Sequence, residues 1–252
     1  MATANVTTWA ELTTVINSAT EDTTVELMND IDMNEELPTG VTTRVGGLQY
    51  KFIINGRGHK IKNLYSNSNS IPVFYGRDYV MEINDIDFEN VYLTNSAQFG
   101  VNVELYNCSL SAKLENSRIG GGSAYCTFHY CGLVVTGFGS TSYLGYGEYV
   151  RFYFCNVEIN GEFSHISGDY YDTYVKGDCT AGGSGIYGRL AIIDATIGFT
   201  GDLGSYAPKL ILYNSDTITV PSDKTISEKL IPCTTVELMS PNALRAKSFP
   251  LW

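Results

Sequence analysis

An eight-residue phrase recurs along this chain, and an internal repeat limits the fold more than any single residue does. Its form is apolar, any, apolar, any, Asn or a substitute, a small residue, any, apolar. Copies begin at Ile86, Val103, Cys126, Val150, Leu190 and Leu210, separated by 17, 23, 24, 40 and 20 residues. The gap of 40 holds a poor copy around Thr173-Tyr174-Val175, which keeps the period near 20. Alternation inside each copy sends one face inward and the other outward. One coil cannot bury that face alone, whereas copies stacked as parallel strands about 4.8 Å apart close a continuous core. The expected fold is therefore all-β: a single-stranded right-handed parallel β-helix, a solenoid, with its coils over residues 23–220.

The columns of the repeat carry further information. Its fifth place holds Asn90, Asn107, Asp194 and Asn214, residue types that accept a left-handed backbone and can stack their amides from coil to coil, with Tyr130 and Phe154 interrupting the series. The sixth place holds Val91, Cys108, Cys131, Cys155, Ala195 and Ser215, all small, as an inward site beside a corner requires. Cysteine there acts as a small hydrophobe, so a core stack is expected in preference to a redox or metal centre. A further copy, Ala112 to Ile119, begins nine residues after Val103, too few for a coil. It is either the next side of the same coil, or one of the two phrases is out of register.

Composition agrees with a folded body. Hydrophobic residues are 44% and charged residues 17%, which supplies a core and too little charge for a disordered chain. No Pro-, Ser- or charge-rich stretch marks a linker, so residues 1–252 read as one domain. With a net charge of −11 and no dense Lys/Arg cluster, no nucleic-acid and no anionic-membrane partner is expected. Met1-Ala2-Thr3-Ala4-Asn5 lacks the basic start and apolar run of a signal peptide, so synthesis in a cytoplasm is expected. The six cysteines lack C-x-x-C spacing and the three histidines, His59, His129 and His165, are scattered, so free thiols, no metal and no cofactor are expected.

At the start, Trp9, Leu12, Val15 and Ile16 fall on one helical face, with Thr7 or Thr8 as N-cap and Glu11 in the first turn. A helix over 8–17 would cap the first coil, as an open parallel sheet demands. At the other end, 221–252 reads as a C-terminal cap or docking tail: Thr234–Met239 repeats Thr23–Met28 letter for letter, Ser240–Lys247 reads as a short helix with Pro241 in its first turn, and Ser248–Trp252 is an apolar finish.

Phe52-Ile53-Ile54-Asn55-Gly56-Arg57-Gly58-His59-Lys60-Ile61 places glycines at a corner between two alternating segments. It resembles the I-x-G-x-G-x-x-I corner of pectate-lyase-like β-helices. With the N-C-S-L rungs and the stretch Val25–Asn34, the chain resembles phage tailspike and appendage proteins of that superfamily over about residues 8 to 220. The resemblance implies a virion location and a homotrimer packed with other virion proteins.

It transfers no catalytic residue, because the adjacent Asp-Asp pair, the Gly-His-Gly phrase and the Arg-x-Lys phrase of polygalacturonase-like members are missing. Asp85, Asp87 and Glu89 alternate on one outer strip and read as a solvated face. Were the chain a polysaccharide lyase or glycoside hydrolase, Asp169, Asp172, Arg151 and Arg189 would line the groove. Tyrosine is abundant in the middle and later coils, and Tyr143, Tyr146, Tyr149, Tyr170, Tyr171 and Tyr174 are the candidate binding residues, since such rings give large contact area at low entropic cost. The favoured function is thus a non-catalytic virion component that acts by contact with protein or host glycan.

Overall fold

The computed structural model describes residues 1–36, 44–67, 72–120, 124–139, 141–145, 150–199, 209–213, 217–219 and 231–233; from 167 onward the description is of the backbone, except at Gly168, Thr173 and Cys179. The protein is a parallel β-solenoid of three-sided coils. On the first side Ala2–Val6 lies on Thr23–Leu27, followed by Phe52–Asn55, Met81–Asn84, Val103–Tyr106, Cys126–His129 and Val150–Tyr153. The second side stacks Ile31–Asp32, Lys60–Lys62, Asp87–Thr94, Ser109–Glu115 and Gly132–Gly137. The third stacks Val45–Gly46, Pro72–Tyr75, Gln98–Val101, Arg118–Ile119 and Tyr143–Leu144.

The extended run Asn156–Phe199 is not one straight ladder. It pairs in turn with Gly132–Gly137, Tyr143–Leu144 and Val150–Tyr153, so it passes round all three sides. Its later part pairs Leu190 with Leu210, and Ile211–Tyr213 pairs with Ile231–Cys233. The two late copies of the repeat therefore stack in the register their sequences suggested. The poor copy is also explained: Asp169–Tyr171 pairs with the rung at Arg151–Tyr153, and Thr173 is buried beneath Cys155, in the small inward place.

Inward residues form axial columns. Val25, Ile54, Ile83, Leu105, Phe128 and Phe152 follow one another in register, all fully buried. Each such side chain contributes about 1.5–3 kcal/mol of burial. In the early coils the interior is tied by an edge-to-face cluster in which Trp9 meets Phe74, and Phe74 meets Phe88 and Phe99 at 5.6 Å. In the later coils Phe128 and Phe152 lie nearly parallel, 5.3 Å apart.

The first helix spans Trp9–Asn17 with Thr8 as its N-cap, whose Oγ1 accepts from the Glu11 N–H at 3.1 Å. The Glu11 carboxylate reaches back to the Thr7 N–H, which holds its pKa below the usual value. Trp9, Leu12 and Ile16 are buried. Asn17 fastens the helix to the third side, donating to the Arg44 carbonyl and accepting from the Gly46 N–H. A strand, Ala2–Val6, precedes the helix and forms the outermost layer described. The segments Thr234–Met239, Ser240–Lys247 and Ser248–Trp252 lie outside the described residues.

Two column assignments differ from the sequence reading. Asp87-Phe88 pairs with Ser109-Leu110, and Val91 and Leu93 with Ala112 and Leu114. The phrase at Ile86 is thus second-side, the phrase at Val103 is first-side, and Ala112–Ile119 is the continuation of the Val103 coil. Ile86, not Val91, stands in the column of Cys108, Cys131 and Cys155: the Ser109 N–H bonds to the Ile86 carbonyl just as the Gly132 N–H bonds to that of Cys108 and the Asn156 N–H to that of Cys131. The error arises because both sides carry period-2 alternation and both leave through an Asn corner, Asn90 on one and Asn107 on the other.

The thiols are free and buried at Cys108, Cys126, Cys131, Cys155 and Cys179. Those of Cys108, Cys131 and Cys155 lie 3.3 to 3.4 Å from the carbonyls of Tyr106, His129 and Tyr153, so each helps satisfy the corner it sits behind. Burial pushes the pKa of Cys108, Cys126 and Cys131 up, away from the reactive thiolate.

Candidate functional site: an aromatic corner and its trough

The outward rows bring functional side chains together at the corner between the first and second sides. One first-side row runs Glu26, Asn55, Asn84, Tyr106, His129, Tyr153. In the early coils it is a hydrogen-bond ladder, Asn84 donating to Asn55 at 3.1 Å and Asn55 to Glu26 at 2.8 Å. From Tyr106 onward it becomes a pile of rings: Tyr106 and His129 are 4.4 Å apart with planes 5° from parallel, and His129 and Tyr153 are 4.9 Å apart at 7°. Stacking covers ring faces and turns rims outward. The Tyr106 hydroxyl donates to Glu104 at 2.7 Å, and burial followed by that carboxylate pushes its pKa upward. Burial lowers the pKa of His129 against the opposing pull of Glu104.

At the corner itself Asp85, Asn107, Tyr130 and Phe154 all adopt a left-handed backbone, with φ of 53°, 52°, 57° and 56°. Tyr130 and Phe154 interrupt the amide series but keep its geometry. Their rings stack at 5.3 Å, which offsets part of the roughly 1–2 kcal/mol that an L residue loses in that conformation. Tyr130 is 48% exposed and stands at the rim of the second side.

On the second side, reached at the corner by Asp85 and Asn107, runs a trough made of two hollows, of about 330 and 190 Å³, that share Lys60, Asp87 and Ser109. Its floor is low because Ser109, Ser111, Gly132 and Val134 are small. Lys60 lies 3.5 Å from Asp87 and 3.2 Å from Glu89, so the acidic strip is braced by a cation and faces solvent. Asp85 also lines the trough, leaving it acidic on balance.

The sequence-predicted residues separate into groups. Arg151 is in register with Asp169, Phe152 with Tyr170 and Tyr153 with Tyr171, so four of the candidates share adjacent first-side layers. The Arg151 guanidinium lies over the Tyr125 ring, 3.4 Å from its centre. Asp172 and Tyr174 belong to the same extended run, described by backbone only. Arg189 pairs instead with Lys209. Tyr143 is on the third side, stacked on His165 at 5.5 Å. Tyr146 and Tyr149 lie outside the described residues. Sequence reasoning missed Tyr106 and His129 as ladder members, although both occupy the fourth place of the repeat, where Tyr153 also falls. Among the described residues no group of three or more His, Cys, Asp or Glu converges as a metal site.

Residues 3–119 match the model of the pectate lyase-like adhesive domain, a stretch a little under half of the chain. It runs from the first strand to the end of Arg118–Ile119. No curated protein matches the chain. The fold is a parallel β-solenoid, and over residues 3–119 the chain is similar to the pectate lyase-like adhesive domain.

Proposed function

We propose that this β-helix is an adhesive protein that works by contact, holding a glycan chain along the aromatic corner and the trough beside it. The carrying observation is the change of one outward row from amides to stacked rings at Tyr106, next to an exposed Tyr130 and a floor of hydroxyls and carboxylates. Ring rims, Ser109, Asn107 and the acids supply donors and acceptors for sugar hydroxyls, while Tyr130 supplies an apolar edge for a sugar's C–H face. The finer setting we propose is a bacteriophage virion, as an appendage, head fibre, decoration or tail component, in which copies pack as a homotrimer with other virion proteins. Its support is the likeness of the rungs to tailspike-type β-helices.

Binding to an immobilised panel of bacterial surface glycans tests the contact reading. Tyr130→Ala and His129→Ala should each weaken the best signal several-fold without unfolding the chain, and unchanged signals in both would overturn it. Retention on purified phage particles and a trimer in solution would support the finer setting; a monomer that does not co-purify with particles would remove it.

One observation favours a second reading. The backbone of Asp169 is in register with that of Arg151 on the adjacent layer, residue types that a lyase or hydrolase groove would need, with Asp172 and Arg189 further along the chain. New reducing ends or unsaturated uronate absorbance, lost in Asp169→Asn, would establish it.

A further inference from the structure

We propose that a separate hollow on the third side binds the carboxylate-bearing sugar of an acidic glycan. The hollow encloses about 440 Å³ and is lined by Ser96, Asn116, Ser117, Arg118, Thr141 and Tyr143, which is room for one sugar ring. It is built by three successive coils, which supply Ser96, then Asn116, Ser117 and Arg118, then Thr141 and Tyr143. The Arg118 N–H bonds to the Ala97 carbonyl and the Tyr143 N–H to that of Ser117, so guanidinium and phenol come from adjacent layers of one row. Ser96 and Asn116 enter with left-handed backbones, φ 63° and 50°, and Thr141 is hydrogen-bonded to the Asn116 side chain. Ser117 is buried and donates to the Leu93 carbonyl at 2.7 Å, so it is scaffold rather than contact.

Charge sets the ligand class. Among the described residues lining this hollow Arg118 carries the only charge, whereas the trough has Asp85, Asp87 and Glu89 around Lys60. On a protein of net charge −11, a carboxylate is repelled from the trough and attracted here. A guanidinium matches a carboxylate with two parallel hydrogen bonds, and the surrounding hydroxyls and amide suit a polyhydroxylated body. The Tyr143 ring, fixed by stacking on His165, offers that body an apolar face. The choice of a sugar over a bare carboxylate rests on the glycan-contact reading; the choice of an anion does not.

Titration of the full chain by calorimetry with methyl glucuronide and methyl sialoside, against methyl glucoside and sodium acetate, tests the proposal, and the two acidic glycosides separate a uronate from a sialate ligand. One acidic glycoside should bind at least tenfold tighter than glucoside and acetate. Arg118→Gln should abolish that preference and Arg118→Lys weaken it. Should Arg118→Gln fail to fold, Thr141→Val, at an exposed position, should still lower affinity several-fold. Equal binding of glucoside, equal binding of acetate, no binding of either acidic glycoside, or indifference to both variants would each overturn the assignment. Whole-glycan adhesion that survives Tyr130→Ala while acidic glycoside binding persists would sink the trough reading and leave this one standing.

Discussion

The early and late coils share a register and differ in what they place on it. Up to Asn84 the outward row is made of groups that bond to one another, Glu26 to Asn55 to Asn84, and the second corner repeats the device with Asp32, Asn63 and Asn90. From Tyr106 the same row is aromatic, and the interior changes with it, from edge-to-face rings to rings piled along the axis. Backbone geometry is therefore indifferent to whether amides or rings hold successive coils apart. The family match ends at residue 119, shortly after this change, so most of the aromatic surface lies beyond the part of the chain that the family describes.

Core truncation should show the largest effect. Phe128→Ala or Phe152→Ala removes half of a stacked pair and should cost about 3–5 kcal/mol, as should Phe88→Ala in the early cluster. Solenoid stability is close to a sum over neighbouring coils, so amide exchange should rise mainly in coils adjoining the substitution. Uniform loss of protection would mean the two halves are one cooperative block.

Next is Gly161→Ala. Gly161 has φ +91°, and a Cβ there would meet the Gly137 carbonyl oxygen at 2.3 Å. A penalty of about 1–3 kcal/mol is expected in a denaturant melt, and a silent substitution would show that the late coils tolerate a wider spacing.

The corners allow a finer contrast. Asn90→Ala loses both the bond to Asn63 and the side chain best suited to φ 58°, and should cost about 1–2 kcal/mol. Tyr130→Asn gains in backbone preference what it loses in stacking on Phe154, worth about 0.5–1.5 kcal/mol, so its melt should barely move. Equal losses at both would erase the distinction between amide and aromatic corners.

The smallest effect is in pH dependence. Burial holds the pKa of folded His129 below the ordinary 6.5, so the unfolded chain takes up that proton first as pH falls. Stability from this residue is whole above 6.5, declines from there down to the folded value, and is then constant. His129→Gln should flatten that window in equilibrium unfolding. Asp30 acts in a lower one: the Lys60 N–H, followed by His59 and Lys62, depresses its pKa below 3.8, and its contribution is lost as pH falls through that depressed value. A dependence that survives both His129→Gln and Asp30→Asn would place the titrating group elsewhere.

Much of the fold was legible because a solenoid writes the same instruction repeatedly. The Val103, Cys126 and Val150 phrases fall in register in three dimensions, the cysteines of the sixth place share a column, and Thr8 caps the helix at Trp9. The Ile86 phrase was misplaced because a pattern of alternation identifies a strand without saying which side of the coil it is on. The candidate site was less legible. The backbones of Arg151 and Asp169 are in register, whereas Tyr143 is on another side, and the trough depends on which small residues happen to share a row. Lys60, Ser109 and Gly132 are far apart in sequence, and only exact coil lengths align them.

Asp85, Asn107, Tyr130 and Phe154 turn the chain through the same angle although they share neither charge, size nor polarity. Each coil is thus an exchangeable tile: its outer decoration can be rewritten without disturbing the mortar between tiles. A binding surface on this protein could be respecified one coil at a time, leaving the rest of the column as it stands.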